Sequence, residues 1–395
     1  MKLHTPILNT ILTALHKIIN ENYYSDKVIS SLFKSNKRLG KRDRQCIAET
    51  TYNIVRFYYY YQYLTQNGTL EDILFTYFQK NKPLSNNTAV FSSQQILSED
   101  IPQRILLSYN DDLWDEAEHQ LGLNRWLTEA EALNQPARLV IRTNTLKISK
   151  SDLKSKLQAL HIETIENSEI PEALILTNKR YLPQTELFKK GFYEFQDLSS
   201  QMVGHFIPSD ILKTAKRIVD ACAGAGGKTL QLAALMQNKG QLIAMDIDEK
   251  KLAELRKRAT RAGCSNIQIR LIEGTKTIKR LKNTADLLLI DAPCSGTGII
   301  KRNPDIKLKF RKQNLSELIQ LQRQILNNYS AMVKPHAYLI YVTCSILPKE
   351  NEQQVHWFLE RHPEFELVKQ KTIYPSFGFD GFYMCLMRKN DASAL

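Results

Sequence analysis

The chain has 395 residues, and its 54 Lys and Arg against 41 Asp and Glu give a formal net charge of +13. Hydrophobic residues make up 43% and charged residues 24%, which excludes wholesale disorder, a collagen-like repeat and a disulfide-stapled miniprotein. The length predicts two or three domains, and no apolar run approaches the roughly 20 residues of a membrane span. Because the start also lacks a signal-peptide pattern, we expect a cytoplasmic protein without a membrane partner.

The positive charge is unevenly distributed along the chain. Residues 1–130 hold 14 basic and 14 acidic side chains, so the whole excess lies in the last two thirds. This asymmetry favours a polyanionic partner, nucleic acid first, although a solvated basic surface is the common alternative. The six cysteines form no CxxC pair and no Cys/His cluster, so we expect no metal site.

The first 135 residues have the pattern of an all-helical domain. Apolar residues recur at helical spacing from residue 7 to about 65, interrupted by a basic turn at 34–44. Residues 66–103 predict a loop-rich connection with one short helix at 71–79. A helical pattern returns from Trp114 to Leu133.

A small α+β unit is predicted over residues 136–185. Residues 138–144 alternate like a strand, and Ser149 to Leu160 predict a helix with a serine cap. Two short strands are predicted around 162–165 and 173–176.

Strands and helices alternate over residues 186–390, which predicts a Rossmann-like, doubly wound parallel sheet. Ligands bind outside the C-terminal ends of such strands. The predicted strands are Arg217–Asp220, Gln241–Asp246, Ile267–Ile272, Ala285–Asp291 and Ala337–Thr343. The predicted helices are Thr229–Gln237, Glu249–Ala262, residues 315–333 and Glu350–Glu360.

The first of these strands runs into a glycine-rich turn, Asp220-Ala221-Cys222-Ala223-Gly224-Ala225-Gly226-Gly227-Lys228-Thr229. A phosphate-binding P-loop is one interpretation, but its first glycine would fall at Cys222. The other is a nucleoside-binding turn, which predicts an acid about 20 residues later to bind ribose hydroxyls. Asp246 fits this second interpretation, and Asp248 fits a helix cap.

Two cysteines follow two successive strands of the predicted sheet. The fourth strand ends in Asp291-Ala292-Pro293-Cys294-Ser295-Gly296-Thr297-Gly298, and the fifth ends in Thr343-Cys344-Ser345. Because these strand ends share one edge of a parallel sheet, both thiols can face one pocket. We therefore expect Cys294 and Cys344 to be functional, and Cys222 and the other three cysteines to be structural.

These three motifs together resemble the NOL1/NOP2/Sun family of S-adenosylmethionine-dependent RNA 5-methylcytosine methyltransferases. The resemblance extends over residues 142–389 and includes Phe195-Gln196-Asp197-Leu198-Ser199-Ser200-Gln201 and Asp380-Gly381-Phe382-Tyr383. The run Lys301-Arg302-Asn303-Pro304-Asp305-Ile306-Lys307 is most similar to the bacterial small-subunit ribosomal RNA branch, whose helical N-terminal domain is NusB-like. The chain departs from the family at Ala225, usually Pro, and at Thr275, usually an acid.

The resemblance implies methyl transfer to C5 of a cytosine in RNA, with Cys344 as nucleophile and Cys294 assisting elimination. Asp291 is expected to bind the base and the methionine end of the cofactor, and Lys228 is the candidate cation for an ionised thiol. The expected S-adenosylmethionine contacts are Cys222, Ala223, Gly224, Ala225, Gly226, Gly227, Lys228, Asp246, Glu273 and Asp291.

RNA is the expected partner of a monomeric protein, through both the helical domain and the small α+β unit. Ribosomal RNA is preferred and tRNA is possible. The expected RNA contacts are Arg142 and Asn144 in the small unit and Lys301 and Arg302 in the basic run 301–312. Three alternatives stay open: a tRNA methyltransferase, a non-catalytic RNA-binding assembly factor on the same scaffold, and a P-loop NTPase.

Overall fold

The structure, a computed structural model, describes residues 4–81, 101–177, 182 and 185–391. It contains two compact units. The first comprises Met1–Pro136 together with Ile299–Leu315, and the second comprises Ala137–Gly298 and Ser316–Leu395. In the described ranges, no helix has the length and apolarity that crossing a membrane requires.

The N-terminal part of the first unit is built from helices around an apolar core. Residues buried in this core recur at helical spacing, such as Ile11 and Leu15 or Ile47 and Ile54. The helices are α1 (Thr5–Ile19), α2 (Ser25–Ser35), α3 (Lys41–Arg56), α4 (Tyr58–Leu64), α5 (Leu70–Asn81), α6 (Gln103–Leu106), α7 (Asp111–Leu121) and α8 (Leu123–Leu133).

One predicted helix of this unit is divided in two. The pattern from Trp114 to Leu133 is interrupted at Gly122, whose φ of +77° lies in the left-handed region. Asn110 caps α7 by accepting the Leu113 N–H at 2.9 Å. The helix predicted at 71–79 is α5, which is longer, and the rest of the predicted loop lies mostly outside the described residues.

The second unit begins with a four-stranded antiparallel sheet in the order β2-β3-β1-β4. Its strands are β1 (Leu139–Thr143), β2 (Thr164–Glu166), β3 (Ala173–Leu176) and β4 (Tyr193–Phe195). Its helix α9 (Lys150–Ala159) begins after Ser149, which accepts the Asp152 N–H as the sequence pattern predicts. Because β4 belongs to this sheet, the sheet extends beyond residue 185, where the small unit was expected to end.

A seven-stranded sheet in the order β10-β11-β9-β8-β5-β6-β7 forms the rest of the second unit. Its strands are β5 (Arg217–Asp220), β6 (Gln241–Asp246), β7 (Ile267–Leu271), β8 (Ala285–Asp291), β9 (Val333–Thr343), β10 (Phe365–Ile373) and β11 (Phe382–Lys389). The five strands from β5 to β9 are parallel, as predicted. The sequence did not predict the two further strands β10 and β11, and β11 runs antiparallel to both β9 and β10.

Helices flank this sheet and cover a core formed by residues such as Ile243, Leu288 and Tyr341, which are fully buried. The short helix α10 (Glu186–Lys189) packs on the small sheet. The helices of the seven-stranded sheet are α11 (Leu198–Phe206), α12 (Ser209–Thr214), α13 (Gly227–Leu235), α14 (Glu249–Ala262), α15 (Thr275–Lys279), α17 (Lys312–Tyr329) and α18 (Glu352–Arg361). Every parallel strand therefore ends at one edge, where the glycine turn and both Cys motifs begin.

The segment Ile299–Leu315 belongs to the first unit, not to the doubly wound domain of residues 186–390 in which the sequence placed it. Its short helix α16 (Ile306–Lys309) carries Lys307, which is fully buried. The Lys307 ammonium donates to the carbonyls of Arg56 and Leu107 at 3.0 and 2.9 Å and lies 3.9 Å from the Tyr109 ring centroid. Burial lowers the pKa of Lys307 well below its ordinary value.

This placement corrects the prediction that the basic run 301–312 contacts RNA phosphates through Lys301 and its neighbours. Lys301 and Lys307 are buried, so RNA cannot reach their ammonium groups in this structure. Arg302 is half-buried, and its contact with RNA stays a prediction.

Candidate active site

The glycine turn between β5 and α13 is held in place by side chains of two other elements. Gly224 and Gly226 have φ values of +53° and +90°, which glycine adopts without strain. The Asp246 carboxylate at the end of β6 accepts the Gly224 N–H at 2.8 Å. Arg258 of α14 donates to the Ala225 carbonyl at 2.7 Å. The turn therefore has a fixed shape, including at Ala225, where the chain lacks the family's usual proline.

Open space lies beside this turn, at the start of α13. Gly227 has an ordinary φ, so the backbone there does not need glycine, yet a Cβ at this position would meet no atom within 4 Å. The first N–H groups of a helix have no partner within it and favour polar or anionic ligands. The missing side chain thus leaves room for a ligand against the N-terminus of α13.

Other residues near this edge of the sheet are candidates for holding a nucleoside. Burial raises the pKa of Cys222 well above its ordinary value, so this thiol is neutral and suits a structural role. Burial, with contributions from Cys222 and Asp246, raises the pKa of Tyr329 to about 12. Tyr329 also lines a cavity of about 460 Å³ together with Thr275. Glu273, another expected cofactor contact, is exposed just before Thr275.

Lys228 and Asp291 form an ion pair at the same edge of the sheet. The Lys228 Nζ lies 2.7 Å from Asp291 Oδ2 and 5.1 Å from the centroid of the Phe382 ring. The Lys228 side chain is 10% exposed and that of Asp291 is 33% exposed, so the carboxylate is the more accessible partner. A P-loop lysine must be available to phosphate oxygens, whereas this ammonium orients a carboxylate. This arrangement disfavours the P-loop alternative.

The two cysteines at the ends of β8 and β9 are brought together. Their strands are parallel neighbours with Asp291 opposite Val342, and Cys294 Sγ lies 3.4 Å from Cys344 Sγ. The hydrogen bond to Cys344, followed by burial, raises the pKa of Cys294 well above its ordinary value. Cys294 therefore keeps its proton, and either sulfur of the pair can act as the hydrogen-bond donor. Both residues are partly exposed.

The structure places the two RNA contacts expected in the small sheet inside the protein. Arg142 is 4% exposed and Asn144 is 5% exposed. The Asn144 amide donates to the carbonyls of Gly191 and Ala262, each at 2.7 Å, and so connects the small sheet to the end of α14. Burial lowers the pKa of Arg142 to about 10. Their burial is inconsistent with RNA contact, and we correct both assignments to structural roles.

Sequence reasoning missed three side chains that shape this site. Arg258 fixes the glycine turn, Phe382 packs against Lys228, and Glu350 contacts the turn that carries Cys294. Phe382 lies in a motif that the resemblance singled out, so a signal was available for it. Arg258 and Glu350 lie in an ordinary helix and an ordinary turn, where nothing in the sequence distinguishes them.

The fold and this edge define a Rossmann-like domain that combines a glycine turn, two carboxylates and a pair of adjacent thiols. The family described as "16S rRNA methyltransferase RsmB/F" matches residues 211–381, and its ferredoxin-like domain matches residues 112–182. The chain belongs to this RsmB/F methyltransferase family, a branch of the NOL1/NOP2/Sun proteins.

Two curated relatives illustrate the similarity. The probable ribosomal RNA small subunit methyltransferase B of Bacillus subtilis is 32% identical over 273 residues, covering 64% of this chain and 60% of the relative. The ribosomal RNA small subunit methyltransferase B of Klebsiella pneumoniae is 34% identical over 244 residues, covering 62% and 56%. The chain thus aligns with somewhat less than two thirds of the length of these relatives.

Solved structures share the fold. PH0851 superposes with a TM-score of 0.80 at 21% identity, covering 98% of this chain and 100% of that one. A methyltransferase homologue from Pyrococcus horikoshii superposes with a TM-score of 0.64 at 28% identity, covering 73% and 97%.

Proposed function

We propose that the protein transfers a methyl group from S-adenosylmethionine to C5 of a cytosine in RNA, through a covalent bond between Cys344 and C6 of the base. The observation that carries this proposal is the pair of thiols 3.4 Å apart, beside the Lys228–Asp291 ion pair and the glycine turn. Cytosine C5 is a poor nucleophile until C6 is attacked, and this chemistry needs a nucleophilic thiol and a second group for the elimination.

Cys344 is the proposed nucleophile because its Thr343-Cys344-Ser345 motif resembles the nucleophile motif of the family. The Cys294 thiol lies 3.4 Å away, close enough to hydrogen-bond the Cys344 sulfur. Attack on C6 places negative charge on the cytosine ring around N3. Asp291, oriented by Lys228, is the accessible carboxyl group that can accept a hydrogen bond from the exocyclic amine and, when it carries a proton, donate that proton to N3 as the negative charge builds there.

Cys294 has a role that follows from the same contact. Once Cys344 is bonded to C6, its sulfur is a thioether and no longer a strong acceptor for the Cys294 thiol. After Cys294 has released its own proton to water, its thiolate can take the proton from C5, while the C5–C6 double bond re-forms and Cys344 leaves as a thiolate.

The residues around the glycine turn fit S-adenosylmethionine. The open space at Gly227 and the N-terminus of α13 would hold its amino-acid end, Asp246 would bind the ribose, and Tyr329 would contact the adenosine part. When bound there, the cofactor supplies an electrophilic methyl group. The chain's own contribution is to hold Asp291 and the two thiols facing that position.

Small-subunit ribosomal RNA is the proposed substrate because the curated relatives are named for that reaction. In the helical unit, a basic surface that could bind this RNA extends from α2 to the first turn of α3. Residues 26–44 carry seven Lys and Arg against two Asp, although the first 130 residues are neutral as a whole. Six of the seven cations are exposed, namely Lys27, Lys34, Lys37, Arg38, Lys41 and Arg42. Such a concentrated positive surface suits RNA phosphates.

Tritiated methyl transfer from S-adenosylmethionine tests the proposal. Unmodified small-subunit ribosomal RNA and bulk tRNA are assayed in parallel, and the product is digested to nucleosides. We expect label in 5-methylcytidine from ribosomal RNA alone. Label from tRNA alone would establish the tRNA alternative, and RNA binding without cofactor binding or label would establish the non-catalytic scaffold.

The two cysteine variants separate the proposed roles. Cys294→Ala should accumulate a covalent enzyme–RNA adduct that survives denaturing electrophoresis, because attack proceeds and elimination does not. Cys344→Ala should give neither adduct nor product. An adduct formed by the Cys344→Ala protein would show that the roles are assigned in the wrong order.

A further inference from the structure

Glu350 is a buried acid directly behind the turn that carries Cys294. It lies in the short turn after β9, and its side chain is fully buried. Its Oε1 accepts the Ser295 N–H at 2.8 Å and the Gln322 side-chain amide at 3.0 Å. Its Oε2 accepts the Ser295 hydroxyl at 2.5 Å. One carboxylate therefore accepts three hydrogen bonds, two of them from the residue that follows Cys294.

The residue that follows Cys344 belongs to the same network. The Ser345 and Ser295 hydroxyl oxygens lie 3.4 Å apart. The Thr297 hydroxyl lies 3.0 Å from that of Ser345, and the Gly298 N–H donates to the Cys344 carbonyl at 2.9 Å. The turns that carry the two thiols are thus connected through their serines.

Asn351, next to Glu350, completes the attachment of the second turn. Its side-chain oxygen accepts the Thr343 hydroxyl, and its amide donates to the Ser345 carbonyl at 3.0 Å. These two contacts lie on either side of Cys344. The dipeptide Glu350-Asn351 therefore binds one turn through Ser295 and the other through Thr343 and Ser345.

We propose that Glu350 is a positioning residue that sets the placement of the Cys294 thiol against Cys344, by anchoring the Ser295 turn to the Ser345 turn. The importance of this residue for catalysis rests on the proposed function. The placement of the two thiols, however, can be measured on the protein without RNA or cofactor. Both turns lie beyond the last paired residues of their strands, where the Gly298 N–H to Cys344 carbonyl bond connects their backbones. The side-chain contacts of Glu350 and Asn351 add to this bond on either side of the thiols, which lie 3.4 Å apart.

The charge of Glu350 supports this role. A buried carboxylate is costly unless it is well hydrogen-bonded, and the partners that satisfy Glu350 are the neutral groups of these turns. Burial raises the pKa of Glu350, and its hydrogen bonds oppose that rise. The negative charge of Glu350 also helps to raise the pKa of Cys294, although the contact with Cys344 and burial contribute more. Glu350 thereby helps Cys294 to keep its proton before the adduct forms.

Oxidative cross-linking tests the placement without RNA or cofactor. Diamide converts two adjacent thiols to a disulfide, and its azo group takes up both thiol hydrogens to become a hydrazine. The rate of forming the Cys294–Cys344 disulfide, followed by mass spectrometry of peptides, reports how often the sulfurs meet. We expect Glu350→Gln to slow this rate about tenfold or more relative to wild type.

Glu352→Gln is the matched control variant. Glu352 lies two residues away and also accepts a hydroxyl, that of Thr372, but this partner lies on β10, away from both cysteine turns. Glu352→Gln should cross-link at the wild-type rate. If Glu350→Gln fails to fold, Ser295→Ala decides the question, because it removes the 2.5 Å contact from the other side and should slow cross-linking in the same way.

A second readout connects the placement to catalysis. We expect Glu350→Gln to reduce turnover about 100-fold, as misplacement of a reacting group by about 1 Å can do. It should retain covalent adduct as Cys294→Ala does, while its affinity for S-adenosylmethionine by calorimetry stays that of wild type. A merely structural residue would lower the melting temperature without changing the ratio of adduct to product.

The outcomes distinguish the inference from the proposed function. Wild-type cross-linking rate in Glu350→Gln, or an unchanged ratio of adduct to product, overturns the positioning role. Absence of 5-methylcytidine with the wild-type protein overturns the proposed function, and the cross-linking result then still decides whether Glu350 places the two thiols.

Discussion

The buried carboxyl group of Asp220 leads to a quantitative prediction of how the stability of the protein depends on pH. This residue ends β5 with its carboxyl group buried, and Oδ2 accepts the Thr229 hydroxyl at 2.6 Å. Burial raises the pKa of Asp220 from 3.8 to about 7, with a further rise from the charge of Asp291 and an opposing effect of Lys228. The folded protein thus holds a proton on Asp220 that the unfolded chain releases.

The sign and size of the effect follow from this difference. Because the folded-state pKa is higher, the stability that this group contributes is complete below about pH 4 and is lost as the pH rises through about 7. A difference of about three pKa units corresponds to about 4 kcal/mol of unfolding free energy, and about 2–3 kcal/mol of it is lost between pH 5 and pH 8. Asp220→Asn keeps the shape of the side chain but cannot ionise. The variant should therefore not lose this stability as the pH rises.

Urea unfolding of both proteins at several pH values, followed by circular dichroism, measures the effect. Subtracting the wild-type free energy of unfolding from that of Asp220→Asn removes the titration of all groups that the two proteins share. We expect this difference to increase by about 2–3 kcal/mol from pH 5 to pH 8, in favour of the variant. A difference that stays constant over this range would refute the assignment of a raised pKa to Asp220.

Three further changes have expected outcomes. Gly227→Ala should leave the melting temperature unchanged and weaken S-adenosylmethionine binding by about tenfold or more in calorimetry, because its Cβ enters space that is otherwise open. Asn144→Ala removes two buried hydrogen bonds and should lower stability by about 2 kcal/mol, or the melting temperature by about 4–8 °C in calorimetry. The double variant Lys41→Glu with Arg42→Glu should weaken RNA binding in filter assays and reduce the slope of log affinity against log salt by about 2.

The sequence predicted the parallel core of the sheet closely. The bounds of β5, β6, β8 and α14 agree with the predicted ones, because short apolar runs there are bounded by glycine, aspartate or asparagine turns. Asp248 caps α14 through two N–H groups, as its position before Glu249 predicted. Local patterns were sufficient here because each element carries its own start and stop signals.

Elements whose residues depend on distant partners were not predictable in this way. The strand β10 has mostly exposed side chains between its buried ends, so it lacks the apolar alternation of a strand and is defined by pairing with β11. The same limit applies to Lys307, which lies in the basic run that the sequence predicted to contact RNA. Its burial depends on carbonyls about 200 or more residues away in the chain.

The candidate site contains one feature that the sequence could predict and one that it could not. Topology alone brings the ends of β8 and β9 to one edge of the sheet, so the sequence was sufficient to predict that Cys294 and Cys344 share it. The ladder stops at the strand ends, however, and the distance between the two sulfurs is set beyond it. That distance depends on a buried carboxylate 55 residues after Ser295, whose importance becomes visible only when its hydrogen-bond partners are known. Chemistry that needs a separation of a few ångströms therefore depends on residues outside the motifs by which the family is recognised.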